Sequence, residues 1–266
     1  MDASGKATFG VRDDTQRFTP DEVEFFQRVG YLVARSLAPA GPRSRMLEIA
    51  RNDLSAAAPP LEYEADVQYP GAPPSHAAPG GRTVRRLLQA YGRDAAYRDW
   101  ATSQCLADRL RQLLGPQVEL SQTHHNCIMT KDPGHSSITN WHRDIRYWAF
   151  ERPELVSVWL ALGHERRENG CLLILPGSHA MDFSPPQLDA AQFLRTDLAE
   201  HRALLATQTA VELDPGDVLF FHSGLFHAAG QNRTAETKFS VVYTYHAADN
   251  RPLPGTRSAS RPDIRL

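Results

Sequence analysis

The spacing of hydrophobic positions changes near residue 117 and divides the chain into two regions. Before residue 117 the apolar residues recur every three or four positions, as Leu106, Leu110 and Leu114 do, which is typical of amphipathic helices. After it they form short runs rich in Val, Ile, Leu, Phe and Tyr, bounded by Gly, Pro, Asp and Asn, as strands are. Several strands in succession predict a β-sandwich or barrel.

The first region begins with a clear helix start. Thr19 is predicted to cap the helix, Pro20 occupies its first position, and Glu22 stands three residues after the cap, which together form a capping box. Gly30 is expected to end this helix, and "YLVA" to follow as a strand. Further helices are predicted within residues 42–57 and 83–115.

Residues 55–81 interrupt this pattern with six of the chain's 19 prolines. Such a segment cannot form a regular helix, because proline lacks the backbone donor and its ring clashes with the preceding turn. Two interpretations remain open at this point: a surface loop, or a lid over a functional site.

Composition excludes several classes of function. The 266 residues fit one large domain, and the 29 basic residues nearly balance the 31 acidic ones, so nothing indicates a nucleic-acid partner. No apolar run reaches the length of about 18 residues that a membrane helix needs. The polar N-terminal segment lacks the apolar core of a secretion signal, and three widely spaced cysteines indicate a reduced environment. We therefore expect a cytoplasmic protein.

The stretch "TNWHRDIRYW" carries the first candidate chemistry. In an extended segment His142 and Asp144 lie on one face and Arg143 lies on the other. The pair indicates either a metal site or a buried ion pair. A third ligand is available further along, at His222 or His227 in "DPGDVLFFHSGLFHAAGQN".

Two histidines and one carboxylate on one side of a metal form the facial triad of non-haem Fe(II) oxygenases, which leaves positions open for a chelating co-substrate and dioxygen. A dianionic co-substrate also needs a cation at its far end. Lys238 lies eleven residues beyond His227, at the start of a predicted strand. It is our candidate for that cation.

These segments, taken in order, resemble the phytanoyl-CoA dioxygenase family of Fe(II)- and 2-oxoglutarate-dependent oxygenases. The resemblance covers residues 18–250 and rests on "GYLV", "WHRD", "SVWLAL", "ENGCLLILPGSH" and "PGDVLFFHSGLFHAAGQN". It implies a mainly β protein with flanking α-helices, namely a double-stranded β-helix (a cupin-like jelly roll) on which N-terminal helices pack. The implied division is a flexible tail (1–17) and one dioxygenase domain (18–266), comprising a helical flank (18–116), a jelly-roll core (117–250) and a C-terminal extension (251–266).

The resemblance also assigns roles to individual residues. His142, Asp144 and His227 match the iron ligands, and His227 fits the family spacing better than His222 does. Lys238 stands where the family usually has arginine. A lysine ammonium is a compact point charge, whereas a guanidinium would bind the 2-oxoglutarate carboxylate with two parallel hydrogen bonds. Further candidates for contacts to 2-oxoglutarate are Lys131, Ser240, Thr139 and Asn126. Lys131 also fits a solvated strand end, and Thr139 and Asn126 also fit local backbone hydrogen bonding.

The implied reaction is oxidation of an unactivated C–H bond by Fe(II), 2-oxoglutarate and O2, with release of succinate and CO2. Asp144 favours hydroxylation, because related halogenases lack this carboxylate. We expect a small, acid-bearing metabolite as substrate and no obligate protein partner. Four residues are candidates for substrate contacts: Arg82, Arg146, Trp148 and Trp159. Two alternatives remain open, a non-oxidative jelly-roll metalloenzyme (an isomerase or hydrolase) and a metal-free binding module of the same fold.

Overall fold

The computed structural model describes residues 17–67 and 69–266, so the predicted tail lies outside the described residues except for Arg17. Helix α1 (Pro20–Val29) begins as the capping box predicts. The Thr19 hydroxyl accepts a hydrogen bond from the Glu22 backbone amide, and the Glu22 carboxylate accepts one from the Thr19 amide. Gly30 ends the helix with φ 83°, in the left-handed region that glycine adopts without strain.

The helices that follow pack against one face of a large sheet, except the last, whose Leu204 and Leu205 pack with Trp141 in a separate cluster. They are α2 (Ala40–Ser55), α3 (Ala90–Arg93), α4 (Ala95–Ala101), α5 (Gln104–Leu114) and α6 (Arg202–Ala206). All but α6 precede the jelly roll, and fully buried Met46, Tyr97 and Leu110 join Val158 and Val241 of the sheet in one hydrophobic core. The helices thereby cover one face of the sheet and leave its other face for the site.

The strands form two antiparallel sheets. Their bounds are β1 (Tyr31–Ala34), β2 (Leu61–Tyr63), β3 (Val84–Leu88), β4 (Val118–Ser121), β5 (Cys127–Lys131), β6 (Thr139–His142), β7 (Leu155–Ala161), β8 (Leu172–Ile174), β9 (Thr209–Val211), β10 (Val218–His222), β11 (His227–Ala229), β12 (Lys238–Ala247) and β13 (Ile264–Arg265). The larger sheet has the order β1-β10-β7-β12-β5-β3-β2, with β4 between β12 and β13. The smaller sheet has the order β6-β11-β8-β9.

The two sheets enclose a second core, in which Trp159 and Phe221 of the larger sheet pack with Leu172 and Ile174 of the smaller one. Strands β5 to β7 and β10 to β12 alternate between the two sheets, and β8 and β9 lie side by side in the smaller one, which is the arrangement of a jelly roll. The predicted mainly β fold with flanking helices is therefore confirmed.

One element of the helical region was predicted wrongly. Residues 84–88 form strand β3, although Arg and Leu favour helices in isolation. The strand exists because its backbone pairs with β5 on one side and β2 on the other, and such tertiary pairing overrides a weak local preference. The larger sheet therefore extends into the region predicted to be helical.

The C-terminal extension returns along the larger sheet. Strand β13 pairs with β4, and Pro252 forms an isolated bridge with Phe150. Within residues 17–67 and 69–266, none of the helices combines the length and the apolar character required to span a bilayer.

Candidate active site

The three predicted metal ligands converge in the smaller sheet. Strand β6 ends at His142, and β11 begins at His227, its register partner. Arg143 is extended (φ −112°, ψ 137°), so Asp144 faces the same side as His142, at the start of a 3-10 turn. The Asp144 Oδ1 atom lies 3.9 Å from His142 Nε2 and 3.6 Å from His227 Nε2. The three ligand atoms fall within 4.8 Å of one another.

Both imidazoles are oriented by backbone carbonyls. His142 Nδ1 lies 2.8 Å from the carbonyl oxygen of Asn140, and His227 Nδ1 lies 3.1 Å from that of Leu225. A carbonyl can only accept, so each Nδ1 carries the proton and each Nε2 presents a lone pair toward Asp144. Burial, followed by the charge of His227, lowers the pKa of His142 well below its ordinary value. This donor set fits a divalent metal such as Fe(II).

A histidine and a serine hold the second oxygen of the Asp144 carboxylate. His125 Nδ1 and Ser157 Oγ each lie 3.4 Å from Asp144 Oδ2 and 3.1 Å from each other. Burial lowers the pKa of His125 to about 4. His124 turns away and bonds the Ser258 hydroxyl at 2.8 Å. Sequence reasoning overlooked Ser157. The feature that could have identified Ser157 is its hydroxyl, which stands within the otherwise apolar run "LVSVWLA".

A narrow pocket of about 70 Å³ extends from the two imidazoles between the sheets. Its walls near the imidazoles include the apolar Leu172, Phe221 and Ala229. Polar and charged side chains line it as well, among them Arg85, Arg86, Lys131, Thr139 and Lys238. The pocket therefore offers an apolar passage together with positive charge.

Lys238 pairs with a buried glutamate that sequence reasoning did not identify. Its Nζ atom lies 2.9 Å from Glu165 Oε2, and Glu165 is completely buried. The Ser240 hydroxyl donates to Glu165 Oε1 at 2.5 Å, and the Trp159 indole donates to the same oxygen at 2.8 Å. Glu165 thus fixes the positions of all three side chains and neutralises Lys238.

Two further cations share the same pocket. Lys131 donates to the carbonyl of Ser137 at 2.8 Å. Burial, followed by the charges of Lys238 and Arg85, lowers the pKa of Lys131 to about 7. Arg85 donates to the Thr139 hydroxyl at 3.0 Å and to the Ser137 hydroxyl at 2.7 Å. It also pairs with buried Glu64 at 3.3 Å.

The charges in this pocket nearly balance. Four basic groups (Arg85, Arg86, Lys131 and Lys238) face three carboxylates (Glu62, Glu64 and Glu165). One positive charge therefore remains when Lys131 is protonated, which suits a ligand bearing one carboxylate at this end.

A larger cavity of about 490 Å³ opens on the other side of Asp144. It is lined by His125, Tyr147 and Trp148, and also by residues of the C-terminal extension. His142 and Tyr69 line both cavities, so the metal ligands lie between them. Its volume is within the range of sites for small molecules.

The predicted substrate contacts are distributed differently from expectation. Trp148 lines the larger cavity and stacks on His124, with the ring centroids 5.0 Å apart. Trp159 lies instead in the narrow pocket beside Glu165, because its strand crosses beneath that pocket. Arg82 is exposed and lines neither cavity.

Arg146 also lies outside both cavities. The backbone turns into a 3-10 helix at Asp144 instead of continuing as a strand, which directs the Arg146 side chain elsewhere. Its guanidinium lies 3.8 Å from the centroid of the Phe193 ring and donates to the carbonyl of Ala191 at 3.0 Å.

Two other candidates take part in local backbone hydrogen bonds. The Asn126 side chain accepts from the Tyr91 amide at 2.8 Å and donates to the Gln122 carbonyl, so its amide group is occupied. His222 Nδ1 accepts from the Gly224 amide at 2.9 Å and belongs to no metal-ligand group among the described residues.

Comparisons with known proteins agree with this geometry. Residues 26–240 match the family model described as "Phytanoyl-CoA dioxygenase (PhyH)". The human peroxisomal phytanoyl-CoA dioxygenase is 24% identical over 251 residues, covering 89% of this chain and 70% of the relative. The ectoine dioxygenase of Sphingopyxis alaskensis is 26% identical over 246 residues, covering 85% and 75%.

Solved structures show the same fold. The structure of EctD from S. alaskensis with 2-oxoglutarate and 5-hydroxyectoine superimposes with a TM-score of 0.75 at 21% identity, covering 95% of this chain and 84% of that one. The α-ketoglutarate-dependent carbocyclase SnoK gives a TM-score of 0.67 at 19% identity, with coverage of 91% and 89%.

The protein is therefore a dioxygenase of the class that depends on Fe(II) and 2-oxoglutarate. Neither a non-oxidative metalloenzyme nor a metal-free binding module is favoured by these comparisons. Within that class, the chain belongs to the phytanoyl-CoA dioxygenase family.

Proposed function

We propose that His142, Asp144 and His227 hold Fe(II) and that this enzyme hydroxylates a C–H bond of a small molecule. The observation that carries the proposal is the orientation of the two imidazoles. Each Nδ1 is engaged by a carbonyl, and each Nε2 lies within 4 Å of the same carboxylate oxygen. Two neutral imidazoles and one carboxylate leave half of an octahedral coordination sphere open.

The narrow pocket is suited to bind 2-oxoglutarate. We assign the distal carboxylate of this co-substrate to Lys238 and Lys131, with Ser240 and Thr139 nearby. The single surplus positive charge supports this assignment, since one carboxylate then makes the pocket neutral. Leu172 and other apolar walls exclude water from the keto acid.

Glu165 adapts the pocket to lysine. A lysine ammonium is a compact charge that does not fix its own orientation as a guanidinium does. Glu165 and the Ser240 hydroxyl supply that orientation here, with contacts of 2.9 Å and 3.5 Å to Lys238 Nζ. This arrangement explains how lysine serves where arginine is usual in the family.

The larger cavity is suited to hold the substrate next to the metal. Iron, once bound together with 2-oxoglutarate and O2, supplies the oxidising power for C–H hydroxylation, with release of succinate and CO2. His125 and Ser157 keep Asp144 in one orientation, and Trp148 forms an apolar wall that limits water near the metal. The relatives named above act on different substrates, and at about one quarter identity neither substrate transfers to this chain.

An anaerobic titration with Fe(II) and 2-oxoglutarate tests the assignment. The wild type should develop a visible metal-to-ligand charge-transfer band, and His227→Ala should lose both this band and bound iron. His222→Ala is the matched control, because this neighbouring histidine is engaged by the Gly224 amide and should leave the band intact. A band that survives in His227→Ala, or disappears in His222→Ala alone, would contradict the assignment.

A further inference from the structure

The C-terminal extension forms part of the wall of the larger cavity. Three of its residues, Arg257, Ser260 and Arg261, line this cavity. Because the extension follows the last long strand, its position depends on contacts that hold it to the jelly roll.

Several of these contacts involve buried groups. The Ser258 hydroxyl is buried between His124 Nε2, at 2.8 Å, and the Ala149 amide, at 2.9 Å. Six residues further on, β13 pairs with β4. Asp263 also contacts His246 Nε2 at 3.1 Å. Arg261 therefore lies between two anchored points of the chain, and Arg257 directly precedes the first of them.

The arginines of the extension lack acidic partners. Within residues 17–67 and 69–266, neither Arg257 nor Arg261 forms an ion pair with a carboxylate. After rotation of its amide, Gln89 accepts from Arg261 at 2.8 Å, which orients that guanidinium toward the cavity lining without neutralising it. A third arginine, Arg86, lines the same cavity and pairs with Glu62 at 3.0 Å.

We propose that Arg257 and Arg261, with Arg86, form an anion subsite that binds an acidic group of the substrate, of the carboxylate or phosphate type. Guanidinium groups match both anions with paired hydrogen bonds. Arg257 and Arg261 contribute two positive charges that no carboxylate among the described residues compensates, whereas the Arg86 charge is balanced by Glu62. The acidic group lies at this subsite, and the C–H bond to be oxidised lies toward His142 and Asp144. This inference rests on the proposed function, since it places the substrate in the larger cavity.

Binding to a complex that cannot turn over tests the subsite directly. The full-length protein is loaded with Zn(II), which has no redox chemistry, and with 2-oxoglutarate. Ligand-observed NMR then measures binding from an equimolar panel of carboxylic acids, phosphate monoesters and the neutral methyl esters of the same acids. The variants are Arg257→Gln/Arg261→Gln and, as matched control, Arg251→Gln, an exposed arginine of the same extension that lines neither cavity.

The wild type and Arg251→Gln should bind acidic members of the panel and not their esters. The double variant should bind the same acids at least about tenfold more weakly, which corresponds to loss of about 1.4 kcal/mol. Preference for carboxylic acids or for phosphate monoesters identifies the acidic group. Absence of acid binding by the wild type, or equal binding by the double variant, would overturn the subsite.

The signals of 2-oxoglutarate in the same samples separate the two proposals. If the wild type binds 2-oxoglutarate but does not distinguish the acids of the panel from their esters, only the anion subsite is contradicted. Failure of the wild type to bind 2-oxoglutarate contradicts the proposed function itself.

Discussion

The buried pair of Lys238 and Glu165 gives the sharpest test of how the narrow pocket is stabilised. The perturbation is a double-mutant cycle with Glu165→Gln, Lys238→Met and the double variant. Each single substitution leaves one charge buried without its partner, whereas the double variant removes both charges and nearly preserves volume. Both side chains are almost fully inaccessible, at 4% and 1%, so solvent cannot compensate.

The distance between the two groups sets the magnitude. At 2.9 Å and an effective dielectric constant of about 20, the attraction is about 6 kcal/mol. The cost of removing two ions from water offsets much of it, at several kcal/mol per ion. A single substitution should therefore lower the free energy of unfolding by about 3–5 kcal/mol, and the double variant by clearly less than the sum. We expect a coupling energy of at least about 2 kcal/mol.

Urea unfolding of the protein without 2-oxoglutarate measures the free energy of unfolding of each variant. Thermal unfolding checks the result, since each lost kcal/mol should lower Tm by about 2–4 °C for a chain of this size. Arg166→Gln is the control, because Arg166 pairs with the exposed Asp214 and an exposed pair contributes at most about 1 kcal/mol. Additive single effects would refute the reasoning and show that Lys238 and Glu165 are solvated independently.

Three further outcomes follow from the site. Asp144→Ala should abolish substrate-dependent succinate release while the circular dichroism spectrum is retained; full turnover would contradict its role as ligand. A bound carboxylate should raise the Lys131 pKa from about 7, so the affinity for 2-oxoglutarate is full below pH 7 and falls at higher pH, by at most about tenfold per pH unit. Titration calorimetry between pH 6.5 and 9 should show this fall, and a Lys131→Met variant should not. Gly170→Ala should raise the KM for 2-oxoglutarate, because Gly170 has φ 75° and an added methyl would lie 2.6 Å from the Gly230 carbonyl and 2.8 Å from Lys131 Cδ; an unchanged KM in steady-state assays would contradict this.

The parts of the structure that depend on neighbouring residues could be predicted from the sequence. The capping box of α1 involves residues three apart, and the shared face of His142 and Asp144 follows from an extended backbone at Arg143. The strand pattern after residue 117 predicted a β-sandwich or barrel, and the family resemblance narrowed this to a jelly roll. In each case the physical cause acts within a few residues, so the pattern itself contains the information.

The parts that depend on distant pairings could not be predicted. Glu165 meets Lys238 across 73 positions and Ser240 across 75, and nothing in the segment "GHERRENG" distinguishes this glutamate from an exposed one. Strand β3 has a sequence suited to a helix and exists only because β5 and β2 flank it. The same pairing buries Arg85, so the error about the strand also concealed a cation of the narrow pocket.

The distribution of charge divides the site into three zones with different requirements. In the proposed metal centre, Asp144 supplies one negative charge toward a divalent ion, and imidazoles that bind a metal are neutral. In the narrow pocket three carboxylates balance all but one of the four positive charges, which suits a ligand that adds one carboxylate there. In the larger cavity the positive charges of Arg257 and Arg261 are not balanced, since no carboxylate among the described residues pairs with them. We therefore propose that selectivity for the keto acid depends on charge balance within the jelly roll, whereas selectivity for the substrate depends on the C-terminal extension.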